Sequence, residues 1–191
     1  MLHDTTRLPT AQAIAAPLGE HNQTDLVRLN GLPADAFTAL LADVFEHSPW
    51  VAERSAAARP FSSVDQLHRA MCAVVQAASD AEQLQLLRAH PELAGKQALD
   101  GELTEASALE QSGAGLTRLA PADMVRISAL NAAYLARHGF PFIVCVGHHT
   151  QASLFQAFER RVGNTPDAER TEAMAQVGQI ARLRLDALFP G

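Results

Sequence analysis

Cysteine is almost missing from this chain. Only Cys72 and Cys145 occur in 191 residues, at no spacing that suits a metal clasp or a redox pair. Such usage fits a reducing compartment, so the cytoplasm is the expected location. Long apolar runs are missing too: none approaches the ~20 residues that a membrane span needs. The start, MLHDTTRLPTAQAIAAPLGEH, has an alanine-rich patch interrupted by Gln12 and no signal-peptide core, and the closing LFPG is no address signal. A phosphate-cradling glycine loop is absent, because Gly113-Ala114-Gly115 is too short and follows no strand. His148 and His149 are neighbours whose side chains diverge, and no HExxH-like spacing accompanies them; they read as loop histidines and no metal site is expected. Positive charge is the scarcer sign, with 15 Lys and Arg against 21 Asp and Glu and a net charge of −6. That balance argues against nucleic acid or an anionic membrane as partner. An anionic small substrate stays open, because one buried arginine outweighs the global field locally.

What is present is ordinary for a globular protein: 48% hydrophobic and 19% charged residues. The length suits one domain that buries roughly 70% of its unfolded surface. Helical periodicity dominates. Pro33 stands where a helix takes its first residue, and Phe37, Leu40, Leu41, Val44 and Phe45 mark one face. Ser48-Pro49 restarts a helix. Ser62 with Asp65 resembles a capping box ahead of the stripe Val64, Leu67, Met71 and Val75, and Ser79 with Glu82 repeats the pattern. Further helices run from Pro121 to Gly139, from Thr150 to Gly163-Asn164, and from Thr165-Pro166 nearly to the end. FPFIVCV, residues 140 to 146, reads alone as a buried strand, but one run makes no sheet. It is expected as an extended segment threaded through a helical core. The expected fold is all-α: a single compact domain of roughly eight helices over residues 25 to 190, with one short extended apolar segment, preceded by an arm over residues 1 to 24.

Two features point to chemistry. The stretch RAHPELAGKQALDGELTEASALEQSGAGL, residues 88 to 116, ends one helix at His90 because Pro91 pushes the preceding residue out of the α region. A helix end favours an imidazolium there. After a turn at Ala94-Gly95-Lys96, a helix opening near Thr104 puts Ser107 and Glu110 on one face, with Gln111 following. A histidine, a hydroxyl, a carboxylate and an amide can wall an acid-base pocket; a surface helix-turn-helix with a capping histidine fits the spacing as well. In the last helix Ala173, Val177, Ile180 and Leu188 mark the apolar face, and Arg184 falls in its middle. A guanidinium keeps its proton, so a buried Arg184 needs an anion. Glu110 in a structural salt bridge and a substrate anion are both candidates. Cys145 in its apolar run reads as inert, and His68 as a boundary residue.

HPELAGK followed by SALEQSGAGL resembles the signature of the 2-oxo-4-hydroxy-4-carboxy-5-ureidoimidazoline (OHCU) decarboxylases of urate breakdown. FEHSPWVAERSAAARPF (45 to 61), LNAAYLARHGFPFIV (130 to 144) and IARLRLDAL (180 to 188) agree in order, so the likeness spans roughly Asp25 to Leu188. The resemblance implies a cofactor-independent carbon-carbon lyase that converts OHCU to (S)-allantoin and carbon dioxide, and a homodimer. It implies His90, Glu110 and Arg184 as the catalytic set, the arginine through the match of Arg184-Leu185. His90 is expected to deliver the proton, Glu110 to orient it, and Arg184 to supply fixed positive charge. Pro91, Ser107, Ala108, Leu109, Gln111 and the segment Phe142, Ile143, Val144, Cys145 and Val146 are the expected substrate-binding residues. Two alternatives stay open: another lyase or hydrolase acting on a ureido compound, and a helical scaffold in which Arg184 and Glu110 pair permanently.

Overall fold

Short polar side chains and prolines set where the helices begin. A computed structural model describes residues 22–190, and the arm expected over 1 to 24 lies outside them up to residue 21. Ten α-helices occur among the described residues: α1 Asn22–Asn30, α2 Ala34–Leu41, α3 Pro49–Ser55, α4 Val64–Ala77, α5 Asp80–Ala89, α6 Lys96–Asp100, α7 Glu105–Gly113, α8 Pro121–His138, α9 Gln151–Val162 and α10 Pro166–Leu188. Three single 3-10 turns join them, and no strand occurs among those residues. The architecture is all-α. The count exceeds the expected eight partly because the turn after Ala94-Gly95 rolls into the five-residue α6.

Caps explain the boundaries. Ser79 and Glu82 form a reciprocal box at the start of α5. Thr104, Thr150 and Thr165 each accept from the backbone N–H three residues on. The cap of α4 is Ser63, which accepts from Gln66, and not Ser62, whose N–H and hydroxyl instead meet the Gln66 amide oxygen. Gly139 closes α8 at φ 75, a left-handed conformation that a glycine adopts without steric cost.

The core gathers around α10, which at 23 residues is the longest helix and packs against α4, α5 and α8. Its Ala173, Val177, Ala181 and Leu185 are buried and meet a core that includes Leu67 and Met71 from α4 and Leu86 and Leu87 from α5. The segment from 140 to 146 is buried throughout and forms no ladder, although the expected extended run stops one residue early because Val146 opens the 3-10 turn Val146–His148. Its backbone is held by side chains instead. Arg161 on α9 donates to the Ile143 carbonyl at 2.8 Å, and the Cys145 N–H donates to Gln176 on α10 at 2.8 Å. Arg161 is itself fixed by Glu169 through Nε at 2.9 Å and Nη2 at 2.5 Å, both side chains being buried. Tyr134 and Asn164 donate to the same carboxylate. Phe142 stacks on Phe158 at 3.9 Å between ring centres, so its ring belongs to the core.

Candidate active site

His90 caps the C-terminus of α5 with extended backbone, as Pro91 requires. Its Nδ1 lies 2.9 Å from the Leu86 carbonyl. A carbonyl only accepts, so Nδ1 carries a hydrogen, and in the neutral ring Nε2 then keeps the lone pair. The imidazolium expected at a helix end is not what the fold leaves. Burial lowers the pKa to about 4, against the raising effect of the Leu86 bond and the Glu46 carboxylate, so His90 is neutral at neutral pH. Helix-end charge is a weak surface effect, and desolvation overrides it here.

The turn after His90 is held from two sides. Gln111 on α7 accepts from the Ala94 N–H at 2.9 Å and donates to the Glu92 carbonyl at 3.3 Å, while Asn131 on α8 donates to the Leu93 carbonyl at 2.9 Å. Ala94 takes φ 48, and a Cβ on Gly95 would stand 2.6 Å from the Glu92 Cβ, so only glycine fits that bend. Much of the Gln111 amide is thus spent on shaping the wall that carries His90.

Arg184 reaches across from α10 and is 8% exposed. Its Nε donates to Glu110 Oε1 at 2.7 Å and its Nη2 to Glu110 Oε2 at 3.1 Å. Nη1 donates to the Asp43 carbonyl at 2.9 Å, and Nη2 also reaches Ser107 Oγ at 3.2 Å and Glu46 Oε2 at 2.8 Å. Glu46 is a partner that sequence reasoning missed. It lies in the turn between α2 and α3, outside any helical stripe, so periodicity gave no signal; it was visible only as part of FEHSPW. It also accepts from Thr104 at 2.7 Å and Ser107 at 2.9 Å. Burial alone would raise its pKa, but the Thr104 bond and the Arg184 charge hold it below the ordinary carboxylate range.

His90, Pro91, Ser107, Glu110, Gln111 and Arg184 line one narrow cavity together with Ile143, Val144 and Val146. About 30 Å³ of it is wide enough for water. A roomier second cavity, with about 340 Å³ wide enough for water, adjoins it, sharing Glu110, Val146 and Ile180, and takes in Leu109 and Cys145. Ala108 faces outward, and Leu109 is 66% exposed. Phe142 lines neither cavity. The N–H groups of Ile143 and Val144 have no partner among the described residues, which leaves them free to meet a polar ligand. No hydrogen bond joins Glu110 to His90. A wider groove of about 740 Å³ lies along α4 and α10, but it collects none of these residues, and its Arg170 and Arg182 are paired with Asp80 and Asp65. Among the described residues no group of three or more His, Cys, Asp or Glu side chains is placed to hold a metal.

Comparison with known proteins fits this geometry. The sequence model of the family described as OHCU decarboxylase matches residues 30–186. The chain is 41% identical over 168 residues to a 2-oxo-4-hydroxy-4-carboxy-5-ureidoimidazoline decarboxylase of Haloferax volcanii, covering 88% of this chain and 98% of that one. It is 42% identical over 160 residues to the protein of that name in Halalkalicoccus jeotgali, covering 84% and 89%. Among solved structures it resembles one titled (S)-allantoin synthase, with a TM-score of 0.67 and 32% identity over 84% of this chain; the chain spans about half, 52%, of that longer chain. With a family match over most of its length and relatives of this identity covered nearly end to end, the chain belongs to the OHCU decarboxylase family.

Proposed function

We propose that this chain decarboxylates 2-oxo-4-hydroxy-4-carboxy-5-ureidoimidazoline to (S)-allantoin in urate breakdown. One observation carries the reading: family membership coincides with a cavity into which separate stretches of chain bring His90, Ser107, Glu110 and Arg184. The substrate's constitution supplies the electron sink. C4 holds hydroxyl, carboxylate, N3 and C5, and C2 holds an oxo group, so the ring double bond is C5=N1. Loss of carbon dioxide moves the C4–carboxylate bonding pair into C4=C5 and the imine pair onto N1, which takes a proton from solvent. Allantoin then forms when the C4 hydroxyl gives up its proton and C5 gains one. A neutral His90 suits this shuttle, because Nε2 can accept the hydroxyl proton and return it to one face of C5. This reverses the order expected for a histidine that begins as a cation.

Arg184 supplies fixed positive charge toward the developing oxyanion. Glu110, the more exposed of its two carboxylate partners, receives substrate N–H groups, and the free N–H groups of Ile143 and Val144 hold ring or ureido carbonyls. The route asks for no cofactor, since the imine accepts the electron pair. The scaffold alternative draws support from the observed Arg184–Glu110 pair. Turnover decides between them. Enzymatically generated OHCU should give one allantoin enantiomer by circular dichroism, faster than spontaneous decay; a rate equal to that decay overturns the reading. The proposed assembly is a homodimer, supported by the family resemblance and tested by sedimentation; the proposed location is the cytoplasm, supported by the cysteine usage and tested by localisation of a tagged chain. No helix among the described residues is long and apolar enough to cross a membrane.

A further inference from the structure

We propose that Glu46 is a positioning residue of the reaction: the resident counter-ion that keeps Arg184 aligned while Glu110 turns to the substrate. The inference rests on the decarboxylase reading above. Arg184 stands between two carboxylates that differ in kind. Glu110 is 27% exposed at its side chain, whereas Glu46 is 1% exposed. Glu46 is also immobilised, with Thr104 on Oε1 and both Ser107 and Arg184 on Oε2. Thr104 is the N-cap of α7 and Ser107 lies in its first turn, so the carboxylate sits at the positive end of that helix. Its backbone is built for this aim. His47 takes φ 45, a left-handed conformation that is unfavourable for a non-glycine residue. The bend leaves the His47 side chain 64% exposed and its neighbour Glu46 buried.

Two consequences follow for the chemistry. When Glu110 leaves Arg184, Nε loses its acceptor and becomes available to a substrate oxygen. The Asp43 carbonyl, Glu46 and Ser107 still hold Nη1 and Nη2, so the guanidinium neither moves nor stands unpaired. Glu46 also fixes the polarity of Ser107. The hydroxyl hydrogen points at Glu46 and one lone pair takes Arg184 Nη2, so Ser107 offers the substrate only an acceptor, suited to a ring or ureido N–H.

Charge and shape separate this role from packing. Glu46→Gln keeps the shape and loses the charge; Glu46→Asp keeps the charge and loses a methylene. With Glu46→Gln, Glu110 becomes the only carboxylate on Arg184 and is retained there. We expect kcat to fall by up to about 100-fold, the cost of a misplaced catalytic group, with KM changed by less than about threefold. Glu46→Asp should retain kcat within about tenfold. The double variant Glu46→Gln, Glu110→Gln should lose less than the product of the two single losses, because the part of the Glu46→Gln defect that comes from holding Glu110 on Arg184 disappears with the Glu110 charge. The measurements are steady-state turnover of freshly generated OHCU and thermal melting, with wild type alongside. An inactive wild type overturns the decarboxylase reading itself. An active wild type with Glu46→Gln at wild-type kcat, with Glu46→Asp slower than Glu46→Gln, or with strictly multiplicative losses in the double variant, overturns the role of Glu46 alone. If Glu46→Gln melts below the assay temperature, Glu46→Asp decides: kcat within tenfold upholds the proposal and a larger loss overturns it.

Discussion

Arg184 and Glu110 meet fork to fork across 74 residues of sequence, Nε on Oε1 at 2.7 Å and Nη2 on Oε2 at 3.1 Å, and both line the cavity that His90 walls. Arg184 is the more deeply buried partner, so under the proposal above a ligand would open the pair from the Glu110 side.

Replacing Arg184 should therefore hurt more than replacing Glu110. Arg184→Met leaves Glu46 and Glu110 without their cation and should lose ~3–5 kcal/mol of stability, along with nearly all turnover. Arg184→Lys keeps a cation without the planar fork, so turnover should fall steeply while the melting temperature drops little. Glu110→Gln should melt close to wild type. Thermal melts with parallel rate assays test all three. A Glu110→Gln, Arg184→Met double variant that regains most of the lost stability, while Arg184→Met still turns over well, would assign the pair to scaffold.

A neutral His90 places its own mark on pH dependence. With the folded pKa lowered from 6.5 to about 4, kcat/KM should show no acid limb near 6.5 and should bend only toward 4. The unfolded chain takes up the proton first, so the stability that His90 governs is complete above 6.5 and is lost as pH falls from 6.5 toward 4. His90→Asn should remove that slope and lower turnover by roughly 10²–10⁴. An acid limb at 6.5 that vanishes in His90→Asn would show that His90 keeps its ordinary pKa, and activity lost as pH rises through 6.5 would show that an imidazolium does the work.

The extended segment should depend on its two anchors in different ways. Arg161→Met strands the buried Glu169 and should cost ~3–5 kcal/mol. Gln176→Leu leaves the buried Cys145 N–H unpaired and takes a donor from Glu172, at ~1–3 kcal/mol. Because Ile143 and Val144 line the cavity beside that bond, Gln176→Leu should also raise KM more than it lowers kcat. Equal KM in the variant and wild type would detach this segment from substrate binding.

Cofactor independence has a direct test. Protein dialysed against a strong chelator should keep full activity and show no visible chromophore. Activity lost on chelation and restored by zinc would point to His148 or His149, whose Nδ1 atoms now face Gln179 and Ser153 respectively.

Helix starts were legible because caps and prolines act within one turn of chain, and most were placed at the right residue; Ser63 in place of Ser62 is the kind of slip that a run of adjacent serines invites. Arg184 was legible because a charge on an apolar stripe breaks a pattern. The same test finds Glu169, four residues before Ala173, and Arg161, three after Phe158, which form the buried pair under the extended segment. Glu46 offered no such pattern, because a turn has no face.

By itself the sequence determined what short-range physics controls: an all-helical chain, an apolar segment that no sheet could receive, an arginine that needed an anion, and the words that mark the family. Only the tertiary structure decided which anions meet Arg184, that the Gln111 amide braces the His90 turn, that Leu109 stands exposed, and that His90 is neutral. Each of those depends on desolvation and on charges brought together from distant stretches of chain, and neither is written in the spacing of neighbouring residues.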